Sequence, residues 1–248
     1  MKTKLILNTW LLFGNCLIAA EPQKLYFAVE SAKEYTRISL TIDGDRVTGT
    51  QVWQPYQEHG SQGTIDGIIT GGGIIQVVHS YTIEGSEQSE EEILKLGGDQ
   101  LFIGSGELHE DPKNKTRLNL KEPNKVTFTK ALKKIDVTEP KAGTPERKAI
   151  MTAMRGPVSA EVGEDVMFIG QVKMIGKWAR FSGNVDPANG KDPKNEGTAA
   201  AMELDFSALL RKDAEGEWQV LHKGFSGDIS VMEESKEKYP KAPWALFE

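Results

Sequence analysis

Cysteine is almost missing from this chain: Cys16 is the single one in 248 residues, and it sits inside an apolar N-terminal run. If that run is a removed leader, the mature chain has no thiol. Disulfide frameworks, cysteine nucleophiles, iron–sulfur clusters and thiolate zinc sites then fall away together. Histidine is scarce as well. His59, His79, His109 and His222 are too dispersed to show a ligand spacing, so neither a metal nor a cofactor is expected. Long apolar runs are lacking: Leu5 to Ala20 is interrupted by Asn8, Gly14 and Asn15 and is shorter than the roughly 20 residues a span needs. No integral membrane span is expected. Clustered basic charge is lacking too, with 30 Lys and Arg against 36 Asp and Glu and a net charge of −6. Lys130 to Lys134 holds only three lysines and reads as a solvated strand face. Phosphate recognition needs more than that, so nucleic acid is excluded as a partner. There is no Gly-x-Ser-x-Gly elbow, no His-Glu-x-x-His and no phosphate loop. Gly224-Phe225-Ser226-Gly227-Asp228 comes nearest, but its second glycine falls one place early.

What the N-terminus does have is the tripartite pattern of a secretory leader. Lys2 and Lys4 precede the apolar run, and Ala19-Ala20 stands before Glu21-Pro22. Cleavage after Ala20 and a secreted or periplasmic location are the expectations. Lipidation of Cys16 is disfavoured, because Asn15 is bulky and polar where a small residue is needed.

From Gln23 to about Val137 the hydrophobic period is two, punctuated by glycine and aspartate. Strand pairs flank Asp43-Gly44-Asp45, Gly71-Gly72-Gly73 and Gly97-Gly98-Asp99, the last with its first strand beginning at Ile93. Arg117 to Leu120 and Val126 to Leu132 complete the series. Val137 to Pro145 carries two prolines and a glycine and reads as a linker. A helix follows, capped by Thr144, with Ile150, Met151 and Met154 on one face and Gly156-Pro157 as its end. Two hairpins come next, Val166–Ile175 with Trp178–Val185 and Met202–Leu210 with Trp218–Leu221, and then a short charged helix and an apolar tail at 243–247. The fold class expected is mainly β with α+β: an antiparallel β meander, closed as a small barrel or packed as a sandwich, followed by a smaller α+β module with a curved antiparallel sheet. The boundaries are a signal peptide at 1–20, an all-β module at 21–137, a linker at 138–145 and the α+β module at 146–248.

Tyr81 to Pro112 resembles segments of exported bacterial proteins that carry no assigned activity. Arg155 to Gly183, with Gly-Lys-Trp-Ala at 176–179, Leu-Leu-Arg-Lys at 209–212 and Gly-Glu-Trp at 216–218, is similar to a second exported bacterial module of the same kind. The resemblance implies export and two modules and transfers no functional residue.

The candidate ligand site is the strand end Trp53-Gln54-Pro55-Tyr56-Gln57-Glu58-His59-Gly60. There Trp53 and Tyr56 offer flat faces, and Glu58 and His59 offer polar orientation. The competing reading makes Trp53 a plug in the sheet end. Glu84, Glu87, Glu90, Glu91 and Glu92 read as a hydrated acidic run, although a buried carboxylate pair would favour hydrolysis. Asp186 to Glu196 has oxygen ligands without the calcium-loop spacing, and Asn114-Lys115-Thr116 is a glycosylation sequon. No catalytic residue is identified. The functional expectation is an exported, non-enzymatic protein binding a small or lipidic ligand or an envelope partner. The alternatives are an envelope carbohydrate hydrolase near Glu58 and His59, and a structural protein without a pocket.

Overall fold

A computed structural model describes residues 21–190, 205–225 and 230–248. The leader expected at 1–20, most of the Asp186–Glu196 segment, Met202 and the end of the Gly224–Asp228 run lie outside the described residues.

The period-two region forms ten strands: β1 (Gln23–Glu30), β2 (Glu34–Asp43), β3 (Arg46–Pro55), β4 (Ser61–Ile69), β5 (Ile74–Ile83), β6 (Ser86–Gly97), β7 (Gln100–Ser105), β8 (Leu108–Asp111), β9 (Asn114–Leu120) and β10 (Thr127–Lys134). Each of β1 to β6 pairs antiparallel with the next, β7 pairs with β10, and β10 returns to β1. The result is a closed eight-stranded barrel, which leaves no free edge in its wall. The C-terminal half of β6 pairs with β7, while β9 takes a parallel place beside Ser89 and Glu90 and carries β8 with it.

Alternation decides what fills the barrel. Leu25, Phe27, Ile38, Leu40, Val47, Ile65, Ile75, Leu94, Leu101 and Leu132 form one buried cluster. Inward glycines let the wall curl. A Cβ on Gly63 would come within 2.0 Å of the Ser80 carbonyl oxygen, so only a residue without a side chain allows β4 and β5 to approach there.

The strand preceding Gly97 differs from expectation. It begins at Ser86 rather than Ile93, so Glu87, Glu90, Glu91 and Glu92 are themselves part of β6. Tertiary pairing with all of β5 overrides the poor strand propensity of glutamate.

The second unit is a four-stranded antiparallel sheet in the order β11 (Val166–Ile175), β12 (Trp178–Pro187), β13 (Phe206–Lys212), β14 (Trp218–Phe225). Helix α1 (Pro145–Val162) starts as expected, with Thr144 accepting from the Arg147 backbone N–H, but runs through Gly156-Pro157. Its buried stripe Ile150, Met154, Val158 and Val162 outlasts the proline, and Gly163 in the left-handed region supplies the true end. That stripe packs on Phe181, Phe206, Ala208 and Leu210. Helix α2 (Val231–Lys238) packs against β13 and β14, and a Cβ on Gly224 would come within 3.1 Å of Val231. Among the described residues, no helix is long and apolar enough to cross a membrane.

The two units touch. Thr138 bridges to Met174, Trp244 of the C-terminal tail meets the Tyr26 ring edge-on at 5.9 Å, and Lys173 Nζ lies 3.4 Å from the Tyr26 hydroxyl.

Candidate functional site

The strand pairing places a polar group where the apolar column of the barrel interior stops. On β5, Ile75, Val77 and His79 share the inner face. Across the ladder, Ile75 faces Leu94, Val77 faces Glu92 and His79 faces Glu90. Continuing the alternation from the apolar residues therefore turns Glu90 and Glu92 inward and leaves Glu91 outside, 3.5 Å from Arg117. On β3 the inward series Val47, Gly49 and Gln51 brings an amide to the same level.

Three of these residues are out of water, with His79 1% exposed, Gln51 6% and Glu92 8%, while Glu90 is partly buried. Gln51 Nε2 lies 2.9 Å from Glu92 Oε1 and 3.2 Å from His79 Nδ1, and His79 Nδ1 lies 3.2 Å from the same Glu92 oxygen. One ligand atom from each of His79, Glu90 and Glu92 falls within 4.8 Å of the others. Gln51 Oε1, His79 Nε2, Glu92 Oε2 and the nearby Thr36 Oγ1 are buried and make no hydrogen bond. Such groups cost free energy unless something meets them.

Burial pushes the Glu90 carboxyl up to about 7, and the charge of and hydrogen bond to Glu92 add to the rise; His79 and the Tyr81 hydroxyl pull the other way. Tyr81 lies tilted beside His79 with ring centroids 4.7 Å apart, and its own pKa is raised by burial and then by Glu90 and Glu92. Two carboxylates, an imidazole and an amide thus converge, with acceptors outnumbering donors.

The strand-end residues fare differently. Trp53 is on the inner face opposite Thr36 and Ser61, half-buried, and donates its indole N–H to Glu34 at 2.5 Å. Lys130 pairs with the other Glu34 oxygen at 2.8 Å. Lys130 first and then Trp53 hold Glu34 below the usual carboxylate range. Tyr56 is half-exposed, and its hydroxyl donates to Glu30. Glu58 and His59 are exposed in the connection after β3. Trp53 therefore belongs to the barrel rim near the polar group, whereas Tyr56, Glu58 and His59 lie on the outer connection.

Sequence reading did not single out Gln51, His79, Glu90 and Glu92 as one site. The signal was present in the spacing. His79 is two residues beyond Val77, and Glu92 and Glu90 are two and four residues before Leu94. No family model, curated protein or solved structure matches the chain.

Proposed function

We propose that this protein is a non-enzymatic binding protein whose barrel holds a small ligand at its polar inner end, and that the ligand is cationic or rich in hydrogen-bond donors. One observation carries the reading: Gln51 Oε1 and Glu92 Oε2 are buried acceptors without partners, beside a second inward carboxylate and the likewise unpartnered His79 Nε2. Unmet acceptors in a dry site favour an incoming donor or positive charge. The carbohydrate-hydrolase reading draws less support. Its carboxyl groups need about 5–9.5 Å between them for nucleophile or water, whereas Glu90 and Glu92 are close enough to share a hydrogen bond. Glu58 and His59, the earlier candidates for that chemistry, are both solvent-exposed.

Export remains part of the proposal, on the pattern from Lys2 to Ala20. N-terminal sequencing of the protein from its own host should begin at or beside Glu21; an intact Met1 would remove the envelope setting. A native mass spectrum of the same preparation tests the binding reading. The wild-type protein should carry one adduct per chain, and Glu90→Gln should lose it. A bare wild-type chain, or an adduct retained by the variant, would count against a ligand in the barrel.

A further inference from the structure

We infer that the polar end of the barrel is a binding site for one divalent transition-metal ion, with His79, Glu90 and Glu92 as ligands and the Gln51 amide oxygen beside them. The inference rests on the reading of the barrel interior as a binding site and names its ligand class.

The geometry has the dimensions of a coordination shell. Gln51 Nε2, His79 Nδ1 and Glu92 Oε1 form a nearly equilateral triangle with edges of 2.9, 3.2 and 3.2 Å. Ligand atoms bound at about 2.1 Å stand roughly 3.0 Å apart in an octahedron and 3.4 Å apart in a tetrahedron. The third protein ligand, Glu90, is within the same 4.8 Å group.

Hydrogen bonding alone leaves this triangle unsatisfied while the carboxylates are ionised. A protonated Nδ1 donates to Glu92 but meets the Gln51 N–H head-on, and a bare Nδ1 accepts from Gln51 but faces a carboxylate oxygen. A cation resolves all three edges once the Gln51 amide is turned to present Oε1, the buried atom that makes no bond in the other orientation. The same charge offsets the cost of bringing the buried Glu92 and the partly buried Glu90 carboxylates together. One imidazole nitrogen with carboxylate and amide oxygens, and no thiolate, suits Zn²⁺ and its first-row neighbours; calcium and magnesium sites are built from oxygen alone.

The test is calorimetric titration of the full chain carrying Cys16→Ser with Zn²⁺, in parallel with Co²⁺ followed by visible absorption. One ion per chain is expected, and the Co²⁺ bands should report mixed nitrogen and oxygen ligation. Glu90→Gln and His79→Gln should each weaken Zn²⁺ at least about 100-fold, since even outer-shell changes cost 10–100-fold. Glu90→Gln keeps shape and removes one of two like charges, so it keeps the test decisive if His79→Gln does not fold. Unchanged affinity in Glu90→Gln would place the ion on the surface and overturn the inference, as would no uptake by the wild type. A host-derived organic adduct lost in Glu90→Gln, with no Zn²⁺ uptake, would sink the metal and leave the binding reading standing. A wild type with neither Zn²⁺ uptake nor an organic adduct would sink both readings.

Discussion

At the scale of single residues, Trp53 and Tyr56 separate two kinds of aromatic on one strand end. Trp53 faces inward and is tied to Glu34, whereas Tyr56 is half in solvent. A fully buried large ring costs about 3–5 kcal/mol on truncation. Half-buried Trp53 should therefore lose less, about 2–3 kcal/mol in Trp53→Ala, while Tyr56→Ala stays within about 0.5 kcal/mol as surface changes do. Urea unfolding of the two variants measures both, and equal costs would contradict the placement. Glu146 makes a pH prediction. Lys212 first, and then the Trp218 indole N–H, hold its carboxyl below the ordinary range. A depressed carboxyl contributes stability that is present above the unfolded value of about 4.3 and is lost as pH falls through the folded one. Glu146→Gln should thus cost up to about 1 kcal/mol near pH 7, discounted for exposure. That difference should narrow as the pH is taken below 4. A difference that stays constant down to pH 3 would show that charge is not what Glu146 contributes.

At the scale of elements, closure of the barrel depends on backbone approach. Gly63→Ala would put a Cβ 2.0 Å from the Ser80 carbonyl oxygen and 2.6 Å from Tyr81 Cα, both backbone atoms. The strands must part, and a loss of about 3 kcal/mol is expected by thermal or urea unfolding; an unchanged midpoint would mean the wall can relax. The hairpins around Gly44, Gly98 and Gly176 were legible because turn residues and alternation agree there. Two elements were legible only in part, for physical reasons. Strand β6 was read from Ile93 because its first seven residues, Ser86 to Glu92, are poor strand formers held by pairing on β5 and β9. Helix α1 was stopped at Gly156-Pro157, although Val158 and Val162 continue the buried stripe. The candidate site is hidden in the sequence by the first of these. A strand that begins at Ile93 has no inward Glu90 or Glu92 for His79 to meet.

At the scale of the whole molecule, the barrel and the α+β sheet have separate buried clusters and meet at the Thr138–Met174 bridge, at Lys173 beside Tyr26 and through the C-terminal tail. Lys141, Ala142 and Gly143 are exposed in the segment between β10 and α1. Limited trypsin digestion should cut first after Lys141, and the two halves should stay together on a native gel through Trp244 on Tyr26. Trp244→Ala should let them part. Resistance at Lys141 would argue against a boundary there. The barrel interior, in turn, is where the chain places a buried carboxylate, Glu92, that it does not fully satisfy, and a crystal grown with Zn²⁺ examines that place most directly. Diffraction data collected on both sides of the zinc absorption edge should give one strong anomalous peak inside the barrel, about 2.0–2.2 Å from His79 Nδ1 and from carboxylate oxygens of Glu90 and Glu92. Zinc on exposed side chains such as His59 or His109, with no anomalous peak inside the barrel, would contradict it.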